Sequence, residues 1–295
     1  MRITSDVMVS RTLERLQTRL QAYERTQSEL ATGKRILKPS DDPAGARRAI
    51  GIQQAMRARE QDLNNISDGL GWLNAADSQL QAAGDRMARV RELTIGAATV
   101  TGQGERVAIA TEIREIRDEL IAIGNHQHLG RPMFGGYADG DAIELDDADE
   151  WVSKGDGDEV RRRVSDSETV RVNVTAAEWM GFDDGEDLIT MLGNLADEVE
   201  GGDQAVVSGR LGDLDRAIGR IGDALSVIGS ATNRVASARD RAESLALTLR
   251  TELSEVQDVD LAQGLMEQQI QQVGYEATLQ SLSKALPPSL VSFLR

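Results

Sequence analysis

Apolar side chains near the start of the chain recur in steps of four and three: Val9, Leu13, Leu16, Leu20, Tyr23, Gln27 and Leu30. This is a heptad seam with one polar member, and it predicts an amphipathic helix about 33 Å long at 1.5 Å per residue. The period resumes at Leu63, Ile66, Leu70 and Leu73 and runs through Ala76, Leu80, Ala83, Met87 and Val90. Gly102 to Gly104 interrupt it, and Ile109, Ile113, Ile116, Leu120 and Ile123 form a further helix face. Leu188, Leu192, Leu195 and Val199 make another, closed by Gly201-Gly202. Leu211, Leu214, Ile218, Ile221, Leu225 and Ile228 then open a helix that runs to about Leu249. The last arm reads Val256, Val259, Gln263, Met266, Ile270, Val273 and Ala277. Leu279, Leu282 and Leu286 follow after a shift of register, before Pro287-Pro288 stop the helix.

Between residues 131 and 184 the texture changes. "VRRRV" (160–164) and "TVRVNVT" (169–175) alternate and read as strands, with Val170, Val172 and Val174 on one face. Trp151, Trp179 and Phe182 fall in the same segment, which predicts a small core of its own. The expected fold is mainly α. The terminal segments, 1–40 and 256–295, pair as a coiled coil. Residues 41–130 and 185–255 form a long-helix bundle, and 131–184 make a β-rich insert at its far end. An amphipathic helix is marginal in water until a partner covers its apolar side, so the arms are expected to gain order on assembly.

Between the first two helical patterns lies "ATGKRILKPSDDPAGA" (31–46). Gly33-Lys34 has the ending of a phosphate-binding loop. The motif also needs a glycine at position 28 and a hydroxyl at 35, where this chain has Ser28 and Arg35. A structural role accounts for more of the residues. Gly33 suits a left-handed helix stop, and Pro39 holds the linker extended. Ser40 or Asp42 can cap the next helix, with Asp41 and Asp42 favoured at its positive end and Pro43 at its first turn.

Charge narrows the function. The chain has 33 basic and 49 acidic side chains, and residues 139–203 hold 21 of the acidic against 5 of the basic. A nucleic-acid binder or an anionic-membrane binder needs a basic face, so neither partner is expected. There is no cysteine, hence no disulfide and no thiolate metal site. No apolar run has the length of a signal peptide core or a membrane span. His126 and His128 lack a third ligand at a persuasive spacing and are expected to face solvent. "KGDGDE" and "LDDADE" miss the calcium-loop spacing and are expected to be solvated acidic loops. No nucleophile–base pair, metal cluster or nucleotide fingerprint stands out, so no cofactor and no enzymatic activity are expected.

Residues 30–49, "LATGKRILKPSDDPAGARRA", resemble the N-terminal signature of the flagellin superfamily, and Pro39 and Pro43 resemble its hook–filament junction branch. "RVREL" in the long helix, "NHQHLGRPMFGG", and the closing "DVDLAQGLMEQQIQQVGYEATLQSLSKALPPSLVSFLR" are similar to the same family. Pro132-Met133 departs from the usual Tyr-Leu pair, and the Leu294-Arg295 ending is nearer to the flagellins. The resemblance implies a structural protein of the bacterial flagellum, extracellular and exported without a cleaved signal peptide. It implies a ring of copies of the chain between the other junction protein and flagellin, and an export chaperone for the C-terminal arm. The inner-layer assembly contacts would be Leu13, Leu16, Leu20, Tyr23 and Leu30 with Met266, Ile270, Val273, Leu279 and Leu282. The competing reading has these residues pair only within one subunit. The alternative function is a flagellin-type filament subunit.

Overall fold

The structure, a computed structural model, describes residues 2–146, 150–183 and 185–285. Its elements run α1 (Arg2–Thr32), α2 (Pro43–Ala97), α3 (Gln103–Gly124), β1 (Gln127–His128), β2 (Arg131–Pro132), β3 (Ile143–Leu145), β4 (Trp151–Ser153), β5 (Arg161–Arg163), β6 (Thr169–Arg171), α4 (Ala176–Met180), α5 (Leu188–Gly201), α6 (Gln204–Gly209), α7 (Leu211–Gln257) and α8 (Leu261–Ala285). The fold is mainly α, with small antiparallel strand pairs in the middle of the chain. Two compact units form: Met1–Ala58 with Ala246–Arg295, and Arg59–Leu245. Pro287-Pro288, which the sequence reads as the end of the last helix, lie outside the described residues.

The Arg59–Leu245 unit is built on a three-four repeat. On α7 the buried positions are Leu214, Ala217, Ile221, Ala224, Ile228, Ala231, Val235, Ala238 and Ala242. On α2 they include Leu73, Ala76, Leu80, Ala83, Met87 and Val90. The two helices run antiparallel, since Gly84 lies beside Ile221 and Arg91 pairs with Asp215 at 2.8 Å. Large and small side chains alternate on the two faces, so the side chains can interlock. The sequence reading chose Ile218 and Leu225 for the α7 seam. The structure buries Ala217 and Ala224 instead and leaves Ile218 and Leu225 partly covered at the edge.

The helix ends carry their own signals. Gly102 precedes α3, as the glycine interruption predicts. Asp187 caps α5 by accepting from the Ile189 and Thr190 amides at 2.8 and 2.9 Å, and Gly202 ends it at φ +79°. The left-handed backbone at Gly202 favours glycine, and a Cβ there would displace the end of the Arg106 side chain, 2.8 Å away. Thr175 and Glu178 form a reciprocal capping box at α4.

β5 and β6 pair antiparallel, with Arg162 opposite Val170, and Val170, Val172 and Val174 are buried as predicted. The insert does not have a separate core. Trp179, Phe134 and these valines belong to one continuous apolar cluster with Leu80, Met87 and Ile113. The strand valines settle on α2, with Val172 3.6 Å from the position a Cβ would take on Gly69. Ion pairs fasten the β5–β6 hairpin on both sides. Arg162 reaches Asp68 at 2.7 Å, Arg163 reaches Asp62 at 3.5 Å, and Glu168 meets Arg241 at 3.0 Å and Arg234 at 3.5 Å.

Two expectations for polar loops change. His128 does not simply face solvent: it packs edge-on against Trp72 with ring centroids 5.6 Å apart. Asp156 of the glycine–aspartate loop is not merely solvated, because it accepts from the backbone amides of Tyr137 and Asp158 at 3.1 and 3.0 Å.

Candidate assembly interface and helix corner

Within the unit formed by the two chain ends, α1 and α8 pack side by side. They run antiparallel. A Cβ on Gly264 would lie 2.8 Å from Leu30 Cδ2, while Arg19 Nη1 donates to Gln271 Oε1 at 3.2 Å. The heptad of α1 splits into two faces. Leu16, Tyr23 and Leu30, seven residues apart, are half-covered, whereas Leu13 and Leu20 are 45% and 38% exposed and Gln27 is open. The Val9 side chain lies outside the described residues.

The face of α8 toward α1 is Gly264, Gln271 and Thr278, again seven apart and partly or fully covered. Large residues of one helix therefore meet small or polar residues of the other. Two residues along a helix turn about 200°, so Met266 and Val273 point away from α1. Met266, Ile270 and Val273 are 62%, 67% and 61% exposed, and Leu279 is 38% exposed. Leu261 and Leu265 add to this open apolar surface. The structure thus brings the α1 members Leu16, Tyr23 and Leu30 against α8. It leaves Met266, Ile270 and Val273 mostly exposed and Leu13, Leu20 and Leu279 partly exposed. The side chain of Leu282 lies outside the described residues.

The corner after α1 is built from its predicted residues and from one region the sequence reading missed. Gly33 takes φ +70°, the left-handed conformation that ends α1. Asp41 Oδ2 accepts from the Leu37 and Lys38 amides at 3.2 and 2.8 Å, folding the linker on either side of Pro39. Asp42, not Ser40, supplies the cap: Oδ1 accepts from the Gly45 amide at 2.8 Å, and Pro43 is the first residue of α2. The missed partner is the break between α7 and α8. The Arg35 amide donates to the Gln257 carbonyl at 2.7 Å, and the Val259 amide donates to the Gly33 carbonyl at 3.0 Å. The Arg35 side chain also donates to the Val256 carbonyl at 3.0 Å. Asp260 then caps α8 through the Ala262 and Gln263 amides at 2.9 and 3.1 Å. The signal was present as Asp258 and Asp260, two cap-type residues inside a pattern read as one continuous arm.

Asp42 has a measurable consequence. The hydrogen bond from the Gly45 amide, with help from Arg35, holds its pKa below the ordinary aspartate value. A carboxyl depressed in the folded state adds stability above its unfolded pKa, about 3.9, and that contribution is lost as pH falls through the folded value. The Gly45 amide shift is therefore expected to titrate with a midpoint below about 3.9 in an NMR pH series. Asp42→Asn, which keeps the capping oxygen, removes that titration while leaving the corner folded. A midpoint at or above the ordinary value contradicts the assignment.

Among the described residues, no group of three His, Cys, Asp or Glu side chains is placed to hold a metal ion. Among the same residues, no helix is long and apolar enough to cross a membrane. The arrangement offers surfaces and a rigid corner.

Comparison with known proteins gives this geometry a context. The family described as "Bacterial flagellin N-terminal helical region" matches residues 3–138. Flagellin from Bacillus subtilis is 23% identical over 309 aligned positions, spanning all of both chains. Flagellar hook-associated protein 3 from Salmonella typhimurium is 25% identical over 180 positions, covering 60% of this chain and 56% of that protein. The crystal structure of flagellar hook-associated protein-3 from Legionella pneumophila superposes with a TM-score of 0.64 at 14% identity, over 70% of this chain and 98% of the other. Residues 3–138 thus match the flagellin N-terminal helical region, and the chain shares the fold of hook-associated protein 3.

Proposed function

We propose that this chain is a structural subunit of the bacterial flagellum that joins hook to filament at the hook–filament junction. The observation that carries this reading is the pairing of a hook-associated-protein fold with terminal helices whose apolar stripe on α8 is left open by their own packing. A neighbouring subunit that covers Met266, Ile270 and Val273 adds roughly 1.5–3 kcal/mol for each side chain it fully buries. Other copies of the chain in a ring supply such neighbours, with the other junction protein on one side and flagellin on the other. Contacts to unlike subunits above and below are head-to-tail and need not close. In this scheme the terminal coiled coil forms the inner layer, the helical bundle the next shell, and the acidic segment 131–184 the outward face. An export chaperone would hold the C-terminal arm, covering the same stripe before export without a cleaved signal. The role is mechanical, without catalysis or a cofactor.

The full-length match to Bacillus subtilis flagellin favours a second reading, a filament subunit. A deletion strain separates the two. For a junction subunit, cells lose their filaments while hooks remain and monomeric flagellin accumulates in the medium. Retained filaments, or loss of the bulk filament protein itself, overturn the junction role.

A further inference from the structure

We propose that Arg11, Arg15 and Arg19 form a docking stripe for the acidic end of α7, around Glu252 and Glu255, on a second copy of the chain. The inference rests on the assembling role above and names one of its contacts. The three arginines follow one another every four residues on α1 and are all exposed. With Glu14, Thr18 and Thr278 they line an open cleft of about 770 Å³ between α1 and α8.

Like charges four residues apart on a helix repel one another by a few tenths of a kcal/mol. The usual remedy in this chain is an ion pair: Arg89, Arg114 and Arg210 each bind two or more carboxylates. Arg11 and Arg15 have no ion pair among the described residues, and Arg19 has only the neutral Gln271. Among the described residues, Glu14 is the sole acidic group lining the cleft. The stripe is flanked by exposed Leu13 and Leu20, so a partner can cover apolar and charged groups together.

The complementary surface is on the same unit. Glu252 and Glu255 lie one turn apart near the end of α7, are exposed, and have no ion pair among the described residues. They sit at the other end of the arm, because Leu30, not Arg15, is the residue level with Gly264. Fifteen residues of helix separate Arg15 from Leu30, about 22 Å. A single chain therefore cannot bring its own two patches together along a straight arm. A second copy displaced lengthwise places its acidic end on the basic stripe, and the contact repeats from copy to copy.

Sedimentation of the purified full chain tests this. Self-association is expected at low ionic strength and to weaken at about 0.5 M salt, where the screening length falls to a few ångströms. Arg11→Glu with Arg15→Glu is expected to weaken it about tenfold at low salt. Adding Glu252→Arg and Glu255→Arg to that chain restores it. Circular dichroism confirms that each variant stays helical. Salt-independent association, or a quadruple variant that stays dissociated, overturns the assignment of a second copy. The junction role is decided separately: a deletion strain without filaments, rescued by the doubly reversed chain, keeps that role and overturns this contact.

Discussion

Ile270→Glu with Val273→Glu is expected to leave a folded, exportable chain that builds no filament. The expectation follows from exposure. Val273 stands on the face of α8 opposite Gly264, Gln271 and Thr278, Ile270 stands on its flank, and both are more than half exposed. Glutamate is a better helix former than isoleucine or valine, so helix propensity does not oppose the change. Surface substitutions of this kind usually move stability by no more than about 0.5 kcal/mol. In the assembled flagellum the same positions would place two unpaired carboxylates in an apolar contact, and breaking such a contact with an uncompensated charge costs several kcal/mol. The change from folded monomer to absent filament should therefore be close to all-or-none. Leu16→Glu is the instructive control. Leu16 is half-covered on α1, so a charge there should loosen the α1–α8 pair as well as assembly. The checks are circular dichroism, the amount of variant recovered from the medium, and filament counts by electron microscopy. Normal filaments on cells exporting the α8 variant at wild-type level would remove the stripe from the interface.

That contrast also shows what the sequence could and could not tell. The three-four spacing located the helices, because burial of a stripe imposes the period regardless of partner. It did not give the phase of the seams. On α8 the apolar stripe alone leaves open whether it faces α1 or a neighbouring subunit; Gly264 lets Leu30 approach closely and Gln271 binds Arg19, so the small and polar stripe is the one that packs on α1. On α7 the large Ile218 and Leu225 place the seam one residue too far, since the small Ala217 and Ala224 are the buried members and the two larger side chains lie at the edge of the core. The helix corner was more legible. Gly33, Asp42 and Pro43 act through local backbone chemistry, which depends on neighbours in sequence. Its bonds to Gln257 and Val259 join residues more than 200 apart, and no local signal announces them. The strand valines were readable by alternation, but the helix face that receives them was not.

A second large effect is expected at Asp62, which sits on α2 beneath the β5–β6 hairpin. Its side chain is completely buried, an unusual place for a carboxylate. Arg59 comes within 2.9 Å of one oxygen and Arg163 within 3.5 Å of the other, yet neither oxygen receives a well-directed hydrogen bond. Charge attraction, not hydrogen-bond geometry, keeps it there. Removing one member of a buried ion pair typically costs about 3–5 kcal/mol, because its partner is left buried and uncompensated. Asp62→Ala should fall at the low end, about 3 kcal/mol, since Arg59 keeps Asp166 and Arg163 is half exposed. Replacing the pair together, as Arg59→Met with Asp62→Leu, removes the desolvation cost along with the attraction. The double variant should therefore lie closer to wild type than Asp62→Ala alone. Trp72, Trp151 and Trp179 all belong to the Arg59–Leu245 unit, so tryptophan fluorescence during urea unfolding reads that unit directly. A loss below about 1 kcal/mol for Asp62→Ala would show that the hairpin is held by its buried valines and not by the charge beneath it. A large loss that the double variant recovers would show that the ion pair fixes where the hairpin docks more than how strongly it is bound, because an apolar pair can fill the same space but supplies no charge to orient Arg163.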